Sequence, residues 1–465
     1  MTRRTHAIRS KRRSIRSWVG IYRAQAHVTT VRDLTSLAKV VAAGNYNVIG
    51  ASHSYNGIQL VDGDTAIHLG KSHLKGITYH EATSEVDVGP SVSILELKKY
   101  LLARGRCLAN SGNHMTQTVI GALATGTHGY GRNPVMAESV TELAFLDGSG
   151  LEHVLRRGDP EFPYVAVSFG VVAPIIRLRL STCPLGQFLV SNRVCRLSQK
   201  TAHAAGAEGV AYVVFPFSSE ADPVIALTTL RPTDGSLKPT RPPHPCSPFV
   251  PLGRHLLRGY AVLDKWRWLR WYRPLVQRMI AKHAVGLCEE VVTDPRDLDY
   301  LYDPYPLLAS SRAPMVLRQM FDPTYTGFET AFFVPAAEAD AVVTLLVDLA
   351  HQLKRESGVV LKSVIGVREL ATKSELVFAG NFLGPVAAID VYCDLYDYPW
   401  LGEIQQRICR AYPQTRPHWG KSFITAAFRR SIGDEHIDRL RAIHGKYYPR
   451  GTLRLAYETE LFLGI

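Results

Sequence analysis

Residues 50–57, which read GASHSYNG, constrain the fold more than any other short segment of the sequence. They follow the apolar run YNVI and place small side chains on both sides of one histidine, His53. Because no Cβ blocks the approach, backbone N–H groups in such a loop can close on a bulky anion such as a pyrophosphate. The pattern predicts either a cofactor-binding loop with His53 as an attachment point, or an ordinary turn with a surface histidine.

Residues 110–131, NSGNHMTQTVIGALATGTHGYG, form a second segment of small residues that is almost without charge. Small side chains let a backbone run against a flat cofactor, and the hydroxyl groups can donate hydrogen bonds to it. The alternative is a buried helix of small residues. Two such segments, about 60 residues apart, favour cofactor binding.

The sequence around these segments alternates between helix and strand patterns. Apolar residues recur at helical spacing over residues 31–44 and 94–104, where Gly44 and Gly105 close the patterns. Short strand-like runs lie at 48–49, 65–69, 76–80, 85–88, 139–146, 151–155 and 175–180. This alternation predicts an α+β domain.

The chain changes in character after residue 185. Its patterns are strand-like runs at 187–230, a proline-rich loop at 231–253, a basic and aromatic segment at 254–283, a helix at 337–356, strands at 362–370 and 386–393, and a basic helical tail after 421. The segment 254–283, with Trp266, Trp268 and Trp271 beside arginines, predicts one of two structures. It is either a helix on a membrane surface or a helix packed between domains, whose arginine stems cover apolar surface.

Length and charge bound the class of protein. A chain of 465 residues predicts two or three domains. Nine lysines and arginines precede the first acidic residue, Asp33, so residues 1–24 are expected to form a basic flexible arm, and the net charge of +13 does not indicate nucleic-acid binding. There is no apolar run that could span a bilayer, no secretory signal pattern and no Cys-x-x-Cys among seven cysteines. We predict a cytoplasmic protein without a metal site.

Four motifs carry a resemblance to a known family: the His53 loop, GALATGTHG at 121–129, SFG at 168–170 and PHWGK at 417–421. In this combination the chain resembles the alditol (sugar-alcohol) and aldonolactone oxidases of the vanillyl-alcohol-oxidase flavoprotein superfamily. The resemblance covers nearly the whole chain and is weakest between about 190 and 325. It implies a PCMH-type FAD-binding domain of two subdomains at 25–185, an α+β substrate (cap) domain at 186–412, and a segment at 413–465 that returns to the FAD domain.

By position, the resemblance implies that His53 is linked covalently to the 8α-methyl group of FAD. It places Val172 near the adenine and the cation of Lys421 near the N1–C2 edge of the ring, where a reduced flavin carries negative charge. The implied cofactor-binding residues are Gly50, Ala51, Ser52, His53, Ser54, Tyr55, Asn113, Thr118, Gly121, Thr125, Gly126, Thr127, His128, Val172, His418 and Lys421.

The substrate-facing positions depart from the pattern of the alditol oxidases. Where those enzymes carry Glu-x-Arg, this chain has GVR at 366–368, and their His-x-Thr is DVY at 390–392 here. A serine that contacts substrate corresponds to Asn113. The candidate catalytic residues are Arg368, Lys421, Asp390, Tyr392 and Asn113.

Strand parity bears on the missing glutamate. Side chains at i and i+2 share a face, so Gly366 and Arg368 face one way and Glu369 the other, which makes Glu369 a poor substitute. Asp390 and Tyr392 share the site-facing side of the next strand. Asp390 is expected to be either the base that takes the hydroxyl proton during hydride transfer or an ion-pair partner of Arg368.

Together these features predict an FAD-dependent oxidoreductase that oxidises a CH–OH group of a sugar alcohol, aldonolactone or related substrate by hydride transfer to flavin N5, with O₂ or another acceptor. Glycine at 366 adds room and removes a negative charge, which predicts a larger or more anionic substrate than a simple alditol. One alternative is a tailoring oxidase or dehydrogenase of a glycosylated, nucleoside-like or lipid-linked sugar metabolite. Another is a flavin-binding scaffold that has lost catalysis.

Overall fold

The computed structural model describes residues 10–18, 20–110, 112, 114–131, 135–236, 271, 274–275, 278, 287–293, 327–360, 365–394, 399–421, 425–449 and 452–465. Within these residues, the strands form sheets of four, five and eight strands, and helices pack against the sheets. The predicted α+β class is confirmed.

The first sheet has the strand order β1-β2-β4-β3. Its strands are β1 (Ser10–Arg16), β2 (Arg23–Thr29), β3 (Tyr46–Ile49) and β4 (Thr65–His68). Strand β1 pairs antiparallel with β2, whereas β2, β4 and β3 run parallel. Helix α1 (Leu34–Ala42) connects β2 to β3, and the Asp33 carboxylate caps its first turn. The His53 loop leaves this sheet directly after β3.

The second sheet is antiparallel and has the order β5-β6-β10-β8-β9. Its strands are β5 (Ile77–His80), β6 (Glu85–Val88), β8 (Val140–Leu146), β9 (Glu152–Arg156) and β10 (Ile175–Ser181), while β7 (Arg106–Cys107) pairs with β11 (Cys183–Pro184). Helices α2 (Ile94–Leu102), α3 (Val119–Ala124) and α4 (Phe162–Val165) accompany it. Ser93 and Glu96 form a capping box that fixes the start of α2.

The third sheet has eight antiparallel strands in the order β15-β12-β14-β13-β17-β18-β16-β19. They are β12 (Gln187–Arg196), β13 (Gly209–Phe215), β14 (Val224–Pro232), β15 (Leu287–Thr293), β16 (Gly327–Pro335), β17 (Ile365–Leu370), β18 (Val386–Asp394) and β19 (Arg416–Pro417). Helices α5 (Lys200–Ala204), α6 (Ala339–Ser357) and α7 (Pro399–Ala411) belong to the same part of the chain. The buried faces of α6 and α7 share a hydrophobic core with β13, β16, β17 and β18.

The last three helices pack against the first part of the chain. They are α8 (Thr425–Ile432), α9 (Asp434–Tyr447) and α10 (Tyr457–Leu463). Ile437, Leu440 and Phe462 are buried in the same hydrophobic core as the five-stranded sheet. Leu453 forms a parallel bridge with Tyr46, at the start of β3.

The expected helices at 31–44, 94–104 and 337–356 are confirmed, with somewhat shorter bounds. The expectation of a flexible arm over residues 1–24 is wrong for residues 10–16, which form β1 and pair with β2 over seven positions. The physical reason is that an edge strand is held by backbone hydrogen bonds, and its lysine and arginine side chains can still point to solvent.

Several predicted features lie wholly or largely outside the described residues: Asn113, most of the proline-rich loop at 231–253 and most of the basic aromatic segment at 254–283. Among the helices of the described ranges, we find none with the length and apolar character needed to cross a membrane.

Candidate functional site

A cavity of about 210 Å³ lies where the His53 loop, residues 112–128 and the eight-stranded sheet meet. The predicted residues that line it are Gly50, Ala51, Ser52, His53, Ser54, Tyr55, Thr118, Gly121, Thr125, Thr127, His128, Val172, Arg368, Asp390, Tyr392, His418 and Lys421. Gly126 is not among the lining residues. Its backbone has φ 70°, and a Cβ there would face Val167 and Trp419.

Hydrogen bonds hold the His53 loop against the segment that follows β19. The Tyr55 backbone N–H donates to the Gly420 carbonyl over 2.8 Å. The Asn56 side-chain amide donates to the carbonyls of Trp419 and Lys421, over 2.8 Å and 2.6 Å. These contacts join two motifs that are far apart in the sequence.

His53 is fixed on two sides. A hydrogen bond of 2.8 Å joins its Nε2 to Oγ1 of Thr116, and the indole of Trp18 stacks on its ring with centroids 4.3 Å apart. Its Nδ1 is buried and has no hydrogen-bond partner within the described ranges. Burial lowers the pKa of His53 to about 4, so the imidazole is neutral at physiological pH.

The small residues around His53 permit close packing between chain segments. A Cβ at Gly50 or Gly121 would lie 2.9 Å or 2.7 Å from Oγ1 of Thr118, which is closer than real Cβ atoms approach. Oγ1 of Thr118 accepts a hydrogen bond from the Gly121 N–H and so fixes the first turn of α3. The glycines therefore let the loop after β3 lie directly on the start of α3.

Another part of the cavity wall is apolar. Phe169 and Gly170 have φ values of 40° and 95°, and this turn leads to Val172, which lines the cavity. The ring of Phe169 stacks on Trp419, with centroids 4.1 Å apart. This stack packs the turn against Trp419.

A cluster of buried charges lies on the eight-stranded sheet. Nη1 of Arg368 on β17 lies 3.0 Å from Oδ2 of Asp390 on β18. Glu329, on β16, forms an ion pair with Lys421, and its carboxyl is close enough to that of Asp390 for each to shift the pKa of the other. Asp390 is 2% exposed and Glu329 is 3% exposed, so their charges are compensated by these partners and not by bulk water. Gly366 stands directly opposite Asp390 in the pairing of β17 with β18.

The two buried carboxyls titrate in opposite directions. Burial raises the pKa of Glu329 to about 7, because the opposing charge of Lys421 does not fully offset burial and the neighbouring Asp390. Burial also acts to raise the pKa of Asp390, but the charges of Arg368 and Lys421 outweigh it and hold that pKa below its ordinary value. Asp390 therefore keeps its charge near neutral pH, whereas Glu329 is poised to gain or lose a proton.

Two buried histidines, His128 and His418, and the half-buried His114 lie in the same cavity as the charged cluster. Burial, together with the nearby cations, lowers the pKa of His128 to about 4 and the pKa values of His114 and His418 well below their ordinary range. The rings of His128 and His418 lie 5.4 Å apart. All three are neutral at physiological pH and offer N–H donors without adding charge.

The parity argument for the site strands agrees with the geometry. Glu369 points away from the cavity, where its carboxylate accepts a hydrogen bond of 2.9 Å from Lys200. Of the two expectations for Asp390, the ion pair with Arg368 is present. A base role for Asp390 stays a prediction.

Sequence reasoning missed Glu329, His114, Thr116 and Trp18. Glu329 had a usable signal, because it is the one charged residue of β16, GFETAFFVP, and a charge in an apolar strand is uncommon. His114 and Thr116 stood inside the quoted 110–131 segment, but nothing distinguished them from their neighbours. Trp18 fell in the segment expected to be flexible.

These residues fit FAD. The cavity offers a buried imidazole nitrogen without a partner, a wall of close-packed glycines and hydroxyls, an apolar turn, and the cation of Lys421. A flat ring, a pyrophosphate and an adenine need such surroundings. The fold and the site therefore define a flavoprotein with a PCMH-type FAD-binding domain.

Comparison with known proteins agrees with this class. Residues 23–156 match the family model described as "FAD binding domain". This match covers less than a third of the chain, and it assigns that part to an FAD-binding domain.

The alditol oxidase of Streptomyces sp. is 29% identical over 203 residues, which cover 42% of this chain and 48% of that protein. The D-arabinono-1,4-lactone oxidase of Eremothecium gossypii is 26% identical over 183 residues, covering 36% of this chain and 34% of that protein. The chain thus spans half or less of the length of these relatives. A solved structure titled "Solvent-stable cholesterol oxidase" covers 98% of both chains with a TM-score of 0.72 at 14% identity, which shows a shared fold.

Proposed function

We propose that this protein is an FAD-dependent oxidoreductase that oxidises a CH–OH group of a sugar alcohol, aldonolactone or related sugar-derived substrate, with O₂ as the electron acceptor. The observation that supports this most is the cavity itself. One wall is the His53 loop of the FAD-binding segment, and the facing wall is a cluster of buried charges on the eight-stranded sheet. The matched relatives are named as oxidases of alditols and of an aldonolactone, and these names favour the same class of substrate.

The proposal includes a covalent bond between Nδ1 of His53 and the flavin. For Nδ1 to act as a nucleophile it needs an unprotonated lone pair, so the ring proton must stand on Nε2. Oγ1 of Thr116 is placed to accept that proton in a hydrogen bond, and Trp18 keeps the ring from turning. Burial, which disfavours the charged imidazole, keeps the nucleophile available.

A bound flavin supplies the acceptor for a hydride from the carbinol carbon. Around the substrate, Arg368 and Tyr392 orient the reacting oxygen, and the neutral His128 and His418 donate hydrogen bonds without adding charge. Lys421, which lines the cavity, would stabilise negative charge on a bound flavin. A buried carboxylate of the charged cluster takes the hydroxyl proton.

The charge balance of the cluster bears on the substrate. Arg368 and Lys421 each have a buried carboxylate partner, so the site offers little uncompensated positive charge for an anionic group. A Cβ at Gly366 would be in ordinary contact with Cβ of Asp390, at 3.5 Å, so a side chain could be accommodated there and glycine leaves that volume unfilled. Of the two substrate features expected from the sequence, we therefore propose the larger size and not the negative charge.

The test is an absorbance spectrum of the purified protein before and after acid precipitation, with His53→Ala and a matched His27→Ala control. His27 is an exposed residue of β2, in the four-stranded sheet from which the His53 loop leaves. We expect yellow colour to stay in the washed pellet of the wild type and of His27→Ala, and to be lost from the pellet of His53→Ala. Flavin released by the wild type would remove the covalent bond from the proposal. A folded protein without flavin would overturn the assignment as a flavoenzyme.

A further inference from the structure

Glu329 stands out among the residues that line the cavity. It lies on β16 and is 3% exposed, and its carboxylate contacts two partners, the ammonium group of Lys421 and the carboxyl of Asp390. Burial of an ionised carboxyl is unfavourable unless the charge is paired, and Lys421 supplies that pair for Glu329. It is also the single buried charge of the site that none of the sequence motifs contains.

Resting on the proposed function, we propose that Glu329 is the residue that takes up and returns the proton moved in the oxidation, with Asp390 and Lys421 as its positioning residues. Both carboxyls are buried on neighbouring strands, where two negative charges repel each other, so they do not both ionise readily and one of them holds the proton. Arg368 lies 3.0 Å from Asp390 and fixes the negative charge there. The mobile proton therefore belongs to Glu329.

Lys421 and Asp390 are the charged groups that act directly on Glu329. The other titratable groups that line the same cavity are Arg368 from β17, Tyr392 from β18, His418 from the segment after β19, His53 and Tyr55 from the His53 loop, and His114 and His128 from the segments around α3. The histidines are neutral, so the net charge near Glu329 comes from two cations and one fixed carboxylate. This balance holds the carboxyl near its titration point at physiological pH.

The oxidation breaks two bonds of the alcohol. The C–H bond of the carbinol carbon breaks, and its hydride passes to the flavin. The O–H bond breaks, and its proton passes to a carboxylate oxygen of Glu329. The alcohol loses two electrons and becomes a carbonyl. When O₂ later takes the two electrons it leaves as H₂O₂, carrying the proton of the transferred hydride and the proton returned by Glu329.

A consequence can be measured without knowing the substrate. Two-electron reduction adds negative charge to the cavity, and this charge raises the pKa of Glu329 further. With a pKa of about 7, Glu329 is mostly ionised at pH 8 before reduction, and we expect it to take up a proton when the flavin is reduced. One proton accompanies the two electrons on the ring, because Lys421 stabilises the remaining negative charge there. The total is two protons per two electrons in the wild type.

The experiment measures the midpoint potential of the bound FAD against pH, with a redox dye at equilibrium, because the slope gives the number of protons taken up per two electrons. We expect about two protons between pH 7.5 and 8.5 in the wild type and about one in Glu329→Gln. The matched control is Glu369→Gln, which lies on the opposite face of the same sheet, paired with Lys200. It should keep the slope of the wild type.

Two further variants sharpen the test. Glu329→Asp keeps a carboxyl and should keep the second proton. Asp390→Asn removes the group that raises the pKa of Glu329, so the two-proton range should begin at lower pH. A one-proton slope in the wild type over this range, or a two-proton slope in Glu329→Gln, would overturn the assignment of Glu329 while leaving the flavoenzyme in place. If Glu329→Gln does not fold, the slope of the wild type still decides, whereas a protein without flavin would overturn the proposed function itself.

Discussion

Replacing Arg368 by methionine should destabilise the protein strongly at pH 8 and much less at pH 5.5. Arg368 is the ion-pair partner of Asp390, with Nη1 and Oδ2 3.0 Å apart, and only 17% and 3% of the two side chains are exposed. At an effective dielectric constant of about 20, Coulomb's law gives this pair an attraction of roughly 5 kcal/mol. Methionine has a similar volume but no charge, so it leaves Asp390 buried without its main counter-ion.

The size of the loss depends on pH. Without Arg368, Asp390 can avoid being an unpaired buried anion by taking up a proton, which costs about 1.4 kcal/mol for each pH unit above the ordinary pKa of about 3.9. That cost is about 5.6 kcal/mol at pH 8 and about 2 kcal/mol at pH 5.5, and the stability that the lowered pKa of Asp390 gives the wild type is lost in addition at both pH values. Breaking a buried pair typically costs about 3–5 kcal/mol, so we expect roughly that loss at pH 8 and a loss smaller by up to about 3 kcal/mol at pH 5.5.

The linkage between protonation and folding determines whether the stability difference between the two proteins grows or shrinks as the pH rises. In the wild type, the lowered pKa of Asp390 contributes stability that is present above the unfolded value and is lost as the pH falls through the folded value. In Arg368→Met the pKa of Asp390 is raised by burial, so the penalty is small at low pH and grows as the pH rises. The wild type and the variant therefore diverge toward alkaline pH.

The assay is urea unfolding of wild type, Arg368→Met, Asp390→Asn and the double variant at pH 5.5 and 8.0, followed by fluorescence. The double variant removes both charges, so at pH 8 it should be more stable than Arg368→Met by about 2 kcal/mol or more. An equal loss in Arg368→Met at both pH values would refute the reasoning. So would a double variant no more stable than the single one, because both results would mean that the pair is not buried.

Two further predictions concern the cofactor bond and the substrate. Thr116→Val removes the 2.8 Å hydrogen bond to Nε2 of His53, so the share of flavin that stays with acid-precipitated protein should fall several-fold, while total bound FAD, measured before precipitation, stays near that of the wild type. Unchanged retention would mean that Thr116 does not set the tautomer of His53. With Gly366 in place of the glutamate of the alditol oxidases, xylitol and sorbitol should be turned over poorly in a peroxide assay, and efficient turnover of either would contradict the proposal of a larger substrate.

Much of the site could be predicted from local sequence. Glycine and small residues around His53 and in the 110–131 segment indicate close backbone contact, and the structure brings these segments together through Gly50, Gly121 and Thr118. Strand parity alone separated Arg368 from Glu369. Such features depend on the residue types and on the period of a strand, both of which can be read without knowing the fold.

The sequence by itself therefore determined the class of fold, the segments that line the cavity and the faces of β17 and β18. Only the tertiary structure decided which charges meet. Glu329 lies near both Lys421 and Asp390 because the eight-stranded sheet places β16 between β18 and β19. In the chain, α6 and β17 separate β16 from β18, and α7 separates β18 from β19. Residues 10–16 became an edge strand by pairing with the next strand of the chain, β2. The physical reason is that sheet neighbours are chosen by the packing of the whole core, and the local period of a strand carries no information about its partner.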